Sequence, residues 1–274
     1  MHEFSLCVGP VHPAFKEPIK FKFEVDGEKI INVDIDMGYN HRGIEQAGMK
    51  RNFVQNVYLA ERVCGICSFS HPFAYCRAIE NAAGIEVPER AHYIRTIIAE
   101  LERIHSHLLW AGVAAHEIGF DSVLYLIWKN REKILDILEG ITGNRINYAM
   151  LMIGGVRRDI NNKQCKQLGE VIKYYQETLD AVEEVFTGDK TIEMRTRDVG
   201  VLSKKEAMEL SAVGPTTRAS GVPKDVRQDQ PYAAYTEFKV KAVVPKKARG
   251  DIFDRVWVRL EECKQSLEII DYCR

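Results

Sequence analysis

The chain has no apolar run long enough to cross a bilayer as a helix. It has no excess of charge of either sign: the formal net charge is −1 at pH 7. Nucleic acid is therefore not an implied partner, nor is a charged membrane surface. Its first residues, Met1-His2-Glu3-Phe4, form no basic-then-apolar leader, so no secretory signal is expected. Cysteine is sparse and irregularly placed, at Cys7, Cys64, Cys67, Cys76, Cys165, Cys263 and Cys273. An odd count with that spacing argues against a disulfide scaffold and for a reducing compartment. There is no internal repeat and no low-complexity segment. What is present is a chain of 274 residues, 46% hydrophobic and 28% charged, enough for a sizeable core in one or two domains.

Hydrophobic periodicity divides the chain near residue 50. Before it, Ile19, Phe21, Phe23 and Val25 alternate with polar residues. Asp26-Gly27 follows, and Ile31, Val33 and Ile35 resume the alternation, which predicts a β-hairpin in an N-terminal element over residues 1–50. A helical body is expected over 51–274. Pro88 opens a helix whose apolar face is Ile94, Ile97, Ile98, Leu101, Ile104, Leu108 and Leu109. Asp121 is the expected N-cap of a second helix reaching about Gly140. Leu168 to Val182 mark a third, closed by Gly188. Ser203 and Glu206 form a capping-box pattern. The turn formers of 214–223 predict a loop and residues 237–244 a strand, giving a strand and loop region near 212–245. A last helix starts near Asp251, and the pattern stops without a Gly or Pro terminator, so a C-terminally truncated chain is expected.

The densest chemistry lies in Glu61-Arg62-Val63-Cys64-Gly65-Ile66-Cys67-Ser68-Phe69-Ser70-His71. Two residues between cysteines let both sulfurs converge on one soft metal ion, and Gly65 is expected to permit the tight turn. His71 is placed to donate a ring N–H to a ligating sulfur. A structural zinc site needs four ligands, and only His71 lies in local reach as a third. A thioredoxin-like dithiol needs a strand before the motif, whereas the pattern is helical on both sides. A redox-metal site completed by a distant Cys-x-x-Cys remains, as does a pair of buried structural thiols. The histidines His92, His105, His107 and His116 do not fall on one helical face.

Several further elements occur in order around this motif. Gly9-Pro10-Val11-His12-Pro13 with Glu17-Pro18 comes first, followed by Arg42-Gly43-Ile44-Glu45. Arg218-Ala219-Ser220-Gly221, Asp225, Arg227, Pro231-Tyr232 and Tyr235 lie downstream. Together with Arg62-Val63-Cys64-Gly65-Ile66-Cys67 and His71, they resemble the large subunit of membrane-bound, energy-converting (Ech-type) [NiFe] hydrogenases. The downstream block is similar to one shared with the quinone-site subunit of respiratory complex I. The resemblance implies a mainly α fold with a small N-terminal β element. It implies a nickel–iron centre with diatomic ligands, Cys64 on nickel and Cys67 bridging nickel and iron. It places His71 on the bridging sulfur, Arg62 near the site, Glu17 as proton gate and Glu45 on magnesium or an equivalent cation.

The activity so implied is reversible oxidation of hydrogen to protons. Iron–sulfur clusters would sit in a partner small subunit, because this chain has no cluster motif. Ferredoxin and ion-translocating membrane subunits are the further partners implied, with the chain peripheral on the cytoplasmic face of the membrane. The family's second motif, Asp-Pro-Cys-x-x-Cys, and its Pro-Arg-Gly segment are absent, so the chain as it stands is not expected to hold the centre. Two other readings stay open. One is a complex I-like or coenzyme F420-dehydrogenase-like quinone-site subunit without nickel; the other is a non-catalytic assembly or interaction subunit.

Overall fold

Alternation at Phe21, Phe23 and Val25 produces a strand because period-2 patterning puts every apolar side chain on one sheet face. The computed structural model describes residues 3–274 and divides them into two compact units, with the break after Asn52.

The N-terminal unit is a three-stranded antiparallel sheet in the order β1 (Glu3–Val8), β2 (Lys20–Asp26), β3 (Lys29–Asp36). Phe23 lies opposite Leu6 and Val33, and Phe21 opposite Val8 and Ile35. Directly opposed residues share a face, so one side of the sheet is apolar across all three strands. The expected hairpin is β2–β3, with Asp26 paired to Lys29 and Gly27 at φ 62° in the two-residue loop. Strand β1 was not among the expected elements, although Phe4, Leu6 and Val8 alternate with Ser5 and Cys7. Gly9 follows it at φ 101°, where a Cβ would lie 2.1 Å from the carbonyl oxygen of Ile19, so only glycine fits. A short helix, α1 (Ile44–Met49), ends the unit.

The second unit is helical. Helices α2 (Phe53–Glu61) and α3 (Ser70–Ala83) lead into α4 (Glu89–Glu117) and α5 (Asp121–Thr142). A two-residue hairpin, β4 (Leu151–Met152) and β5 (Gly155–Val156), precedes α6 (Asn162–Gly188) and α7 (Lys190–Thr196). Then come α8 (Lys204–Glu209), α9 (Gly214–Ala219), α10 (Val226–Asp229) and α11 (Ile252–Cys273). Helix α4 packs on α5 and α11, and α6 packs on the same two, which closes a four-helix bundle. Its core is Ile98, Leu101, Ile104 and Leu108 of α4, with Ile134 and Leu138, Leu168 and Leu179, and Leu260, Cys263 and Ile270 from the other three. Each such aliphatic side chain contributes about 1.5–3 kcal/mol on burial.

Caps fix the ends. Asn161 and Gln164 form a full capping box on α6, Ser203 and Glu206 do so on α8, and Asp251 caps α11. Asp121 departs from its expected role. Phe120 holds the cap position of α5, and Asp121, one residue inside, pairs with His116 at 2.6 Å.

Two expectations fail between 212 and 245. Residues 214–219 form helix α9, because Pro215 sits in the first turn, where its fixed φ favours helix and its missing N–H costs nothing. Residues 237–244 form no strand. Their backbone groups turn to side chains instead: the N–H of Ala242 donates to Gln228 Oε1 at 2.8 Å, and the carbonyl of Lys241 accepts from Gln265 at 2.8 Å. With no neighbouring strand to pair with, β propensity has nothing to act on.

Candidate functional site

The cysteine turn joins α2 to α3, and three buried side chains clamp it. Glu61, the last residue of α2, accepts the N–H of Ala149 at 2.5 Å and pairs with Arg62 at 2.9 Å. The hydroxyl of Ser68 donates to the carbonyl of Ile146. From α4, Glu102 accepts the N–H of Phe69 at 2.6 Å, the N–H of Ser70 at 3.1 Å and the Ser70 hydroxyl. These are the orphan donors at the start of α3, so Glu102 serves as a cap supplied from another helix.

Inside this clamp the two thiols are adjacent. Cys64 Sγ accepts the N–H groups of Ile66 and Cys67, both at 3.4 Å, and both cysteines are half-buried. Burial, then the hydrogen bond and charge of Cys64, push the Cys67 thiol up to about 12. Free of metal, Cys67 therefore keeps its proton at neutral pH; a soft cation would displace it. Gly65 is not forced by geometry. Its φ is not in the left-handed region, and a Cβ there would meet Ile146 at an ordinary 3.8 Å.

The other expected residues are spread out. Arg62 is half-exposed and engaged by Glu61. His71 lies exposed in the first turn of α3, with no hydrogen bond to either sulfur among the described residues. Glu17, in the loop between β1 and β2, and Glu45, in α1, are exposed carboxylates of the N-terminal unit. Two histidines of α4 have side-chain partners, His105 with Tyr148 and His107 with Glu262, both at 2.8 Å, whereas the Nδ1 of His92 is buried without a hydrogen-bond partner among the described residues. Burial pushes His107 down to about 4, so it is neutral at pH 7. Among the described residues, no three His, Cys, Asp or Glu side chains converge as a metal group. The donor set is thus two thiols, half of what a tetrahedral soft-metal site takes.

Sequence reasoning missed Glu102, Glu61 and Ser68. Glu102 could have been found: it falls between Leu101 and Ile104 on the core-facing side of α4 and is only 2% exposed. Burial pushes its carboxyl up to about 7, against the hydrogen bonds from Ser70 and Phe69. A carboxylate in an apolar stripe is costly enough to signal a specific partner.

The downstream block forms a second buried cluster. Arg227 donates to both oxygens of Glu100, at 3.0 and 3.2 Å, and grips Asp225 at 2.8 and 3.1 Å. Glu100 also accepts from Ser266 at 2.5 Å, from Arg103 at 3.1 Å and from the Tyr235 hydroxyl. Arg218 binds Glu262, which His107 shares. Nearby, Arg95 and Glu80 pair through 2.9 and 2.6 Å bonds, and Arg95 reaches the carbonyls of Met152 and Gly155, fastening β4–β5 to α3 and α4.

Comparison with known proteins follows this division of the chain. Residues 42–111 match the family model for nickel-dependent hydrogenases. Residues 117–274 match that for the 49 kDa subunit of respiratory-chain NADH dehydrogenase. The membrane-bound hydrogenase subunit alpha of Pyrococcus furiosus is 54% identical over 269 residues, covering 96% of this chain and 63% of that protein. The carbon monoxide-induced hydrogenase of Rhodospirillum rubrum is 39% identical over 274 residues, covering 100% of this chain and 75% of its own length. Among solved structures, the membrane-bound sulfane sulfur reductase, an archaeal respiratory membrane complex, aligns with a TM-score of 0.91 at 31% identity, over 99% of this chain and 72% of that one. No helix among the described residues is long and apolar enough to cross a membrane. The chain belongs to the family of large subunits of membrane-bound, Ech-type [NiFe] hydrogenases, which is related to the 49 kDa subunit of complex I.

Proposed function

We propose that this chain contributes two thiolate ligands to a nickel–iron centre and that its assembled complex interconverts hydrogen with protons and electrons. The observation behind this reading is the Cys64–Cys67 pair, held side by side in a turn clamped by Glu61, Ser68 and Glu102. Cys64 and Cys67 would hold the centre through their sulfurs, Cys64 on nickel and Cys67 shared with iron. When bound, the centre supplies the redox chemistry of hydrogen cleavage.

The chain's own residues do the remaining work. Cys67 releases its proton on metal binding, and Glu61 and Glu102 fix the turn so that both sulfurs stay convergent. His71, in the first turn of α3 beside the motif, would donate to the sulfur of Cys67, and Arg62 stays at the rim. Glu17 accepts and passes the proton, and Glu45 holds magnesium or an equivalent cation. The remaining metal ligands come from outside the described residues. Electrons pass to an iron–sulfur small subunit and on to ferredoxin, and membrane subunits that translocate ions complete an assembly on the cytoplasmic face.

A second reading is favoured by the match of residues 117–274 to the complex I subunit. There the chain shapes a quinone pocket, as in a complex I-like or F420-dehydrogenase-like subunit, and the cysteines are structural. Metal analysis of the native complex, purified without oxygen, separates the two. Nickel and iron in equal amounts per chain, with H₂/D⁺ exchange, support the hydrogenase reading. An intact, quinone-reducing complex without nickel supports the second.

A further inference from the structure

A cleft of about 230 Å³ opens where α9, α10 and their connecting loop meet α4. Arg103, Arg218, Lys224 and Arg227 line it against a single carboxylate, Asp225. That carboxylate is already used, because Arg227 binds both of its oxygens. Glu100 and Glu262 take up Arg227 and the Nε of Arg218 from behind.

Several donors are left over. Arg103 bonds protein through Nε alone, leaving both terminal nitrogens without a partner among the described residues. Arg218 uses Nε and Nη1, the latter on the carbonyl of Lys224, and leaves Nη2. Lys224 is exposed at the mouth. Thr217 lines the same cleft, is 3% exposed, and its hydroxyl oxygen has no hydrogen-bond partner. A buried hydroxyl without a partner is rare in a well-packed protein and points to a group that completes it. Guanidinium donors beside an ammonium and a hydroxyl are the chemistry that holds a planar or tetrahedral oxyanion.

We propose that this cleft is a binding site for one oxyanion, a carboxylate or phosphate group. The anion is either free in solution or carried on an acidic side chain of a docked chain. Arg103, Arg218 and Lys224 supply the charge, and Thr217 supplies the buried hydroxyl. Arg227, saturated by Glu100 and Asp225, holds the wall.

Calorimetric titration of the chain with inorganic phosphate at about 0.15 M salt tests the site. Saturable one-site binding is expected. Lys224→Ala and Thr217→Val each remove one donor and should weaken it about tenfold. Neither side chain bonds the buried ion pairs (Arg218 reaches only the backbone carbonyl of Lys224, which alanine keeps), and an unchanged thermal unfolding midpoint verifies each fold. Lys246→Ala, outside the cleft, should leave the affinity as it is. Binding that never saturates, or that falls equally in both lysine variants, overturns the proposal, since either result describes diffuse surface attraction. The same titration on the assembled complex identifies the source. Loss of phosphate binding there assigns the site to a partner's acidic side chain, and retained binding assigns it to a free anion.

Discussion

Replacing Arg227 with methionine tests the buried ion cluster, because the side chain keeps its volume and loses its charge. Arg227 is 2% exposed, and its partners Glu100 and Asp225 are 0% and 6% exposed. Breaking one partner of a buried pair costs about 3–5 kcal/mol. Urea unfolding at pH 7 should show a loss in that range, a large share of a typical total of roughly 5–15 kcal/mol.

The pH profile gives a second reading of the same variant. Burial alone would raise the Glu100 carboxyl, but the charges of Arg103 and Arg227 outweigh it and hold the group at about 2, against an ordinary 4.5. A folded pKa below the unfolded one stabilises the protein above pH 4.5, and that stability is lost as pH falls towards 2. At 1.36 kcal/mol per unit the contribution is about 3 kcal/mol. Without Arg227 the acid limb of the stability curve should shrink and move to higher pH. A loss below about 1 kcal/mol at pH 7, with an unmoved acid limb, would refute the assignment of Arg227 as one of the two charges, with Arg103, that neutralise Glu100.

Glu17→Gln, which keeps shape but cannot relay a proton, should cut H₂/D⁺ exchange by about 10²- to 10⁴-fold in the native complex with nickel and iron retained; loss of the metals instead would make Glu17 structural. If Cys67 is a ligand as proposed, Cys67→Ser should lose nickel and iron outright, read by metal analysis of the native complex. Glu102 behaves oppositely to Glu100: its folded carboxyl at about 7 lies above the ordinary 4.5, so stability declines as pH rises between those values. Glu102→Gln should flatten that decline in unfolding experiments, and an unchanged slope would mean that another group titrates there.

The sequence was read most securely where one physical signal dominated. The apolar period of α4, the Asp251 cap of α11 and the Ser203–Glu206 box are local, and each element stands where its residues predict it. Errors arose where turn formers also start helices, or where a distant group decided the outcome. Pro215 and Gly214 look like loop residues until Pro215 is seen as a helix starter, and 237–244 lacks the neighbouring strand its composition asks for. At the thiol turn, the cysteines themselves were legible from spacing. The carboxylates that hold them were not, because Glu61 and Glu102 meet their partners 88 and 33 residues away. Glu17 and Glu45 rest on family resemblance, since their exposed settings carry no physical signal of their own.

The span of the buried ion cluster sets an order of events for folding. Glu100 meets Arg227 across 127 residues and Ser266 across 166. The antiparallel pair α4–α5 needs only neighbours in sequence and can assemble early. Arg103 pairs with Glu100 within α4, but the second guanidinium, Arg227, arrives only with α10 and the Ser266 hydroxyl only with α11, so Glu100 must stay hydrated while most of these residues emerge from the ribosome. Closing the bundle and drying its ionic interior are therefore one late, cooperative step, and the half-built chain before that step is the species most in need of a chaperone.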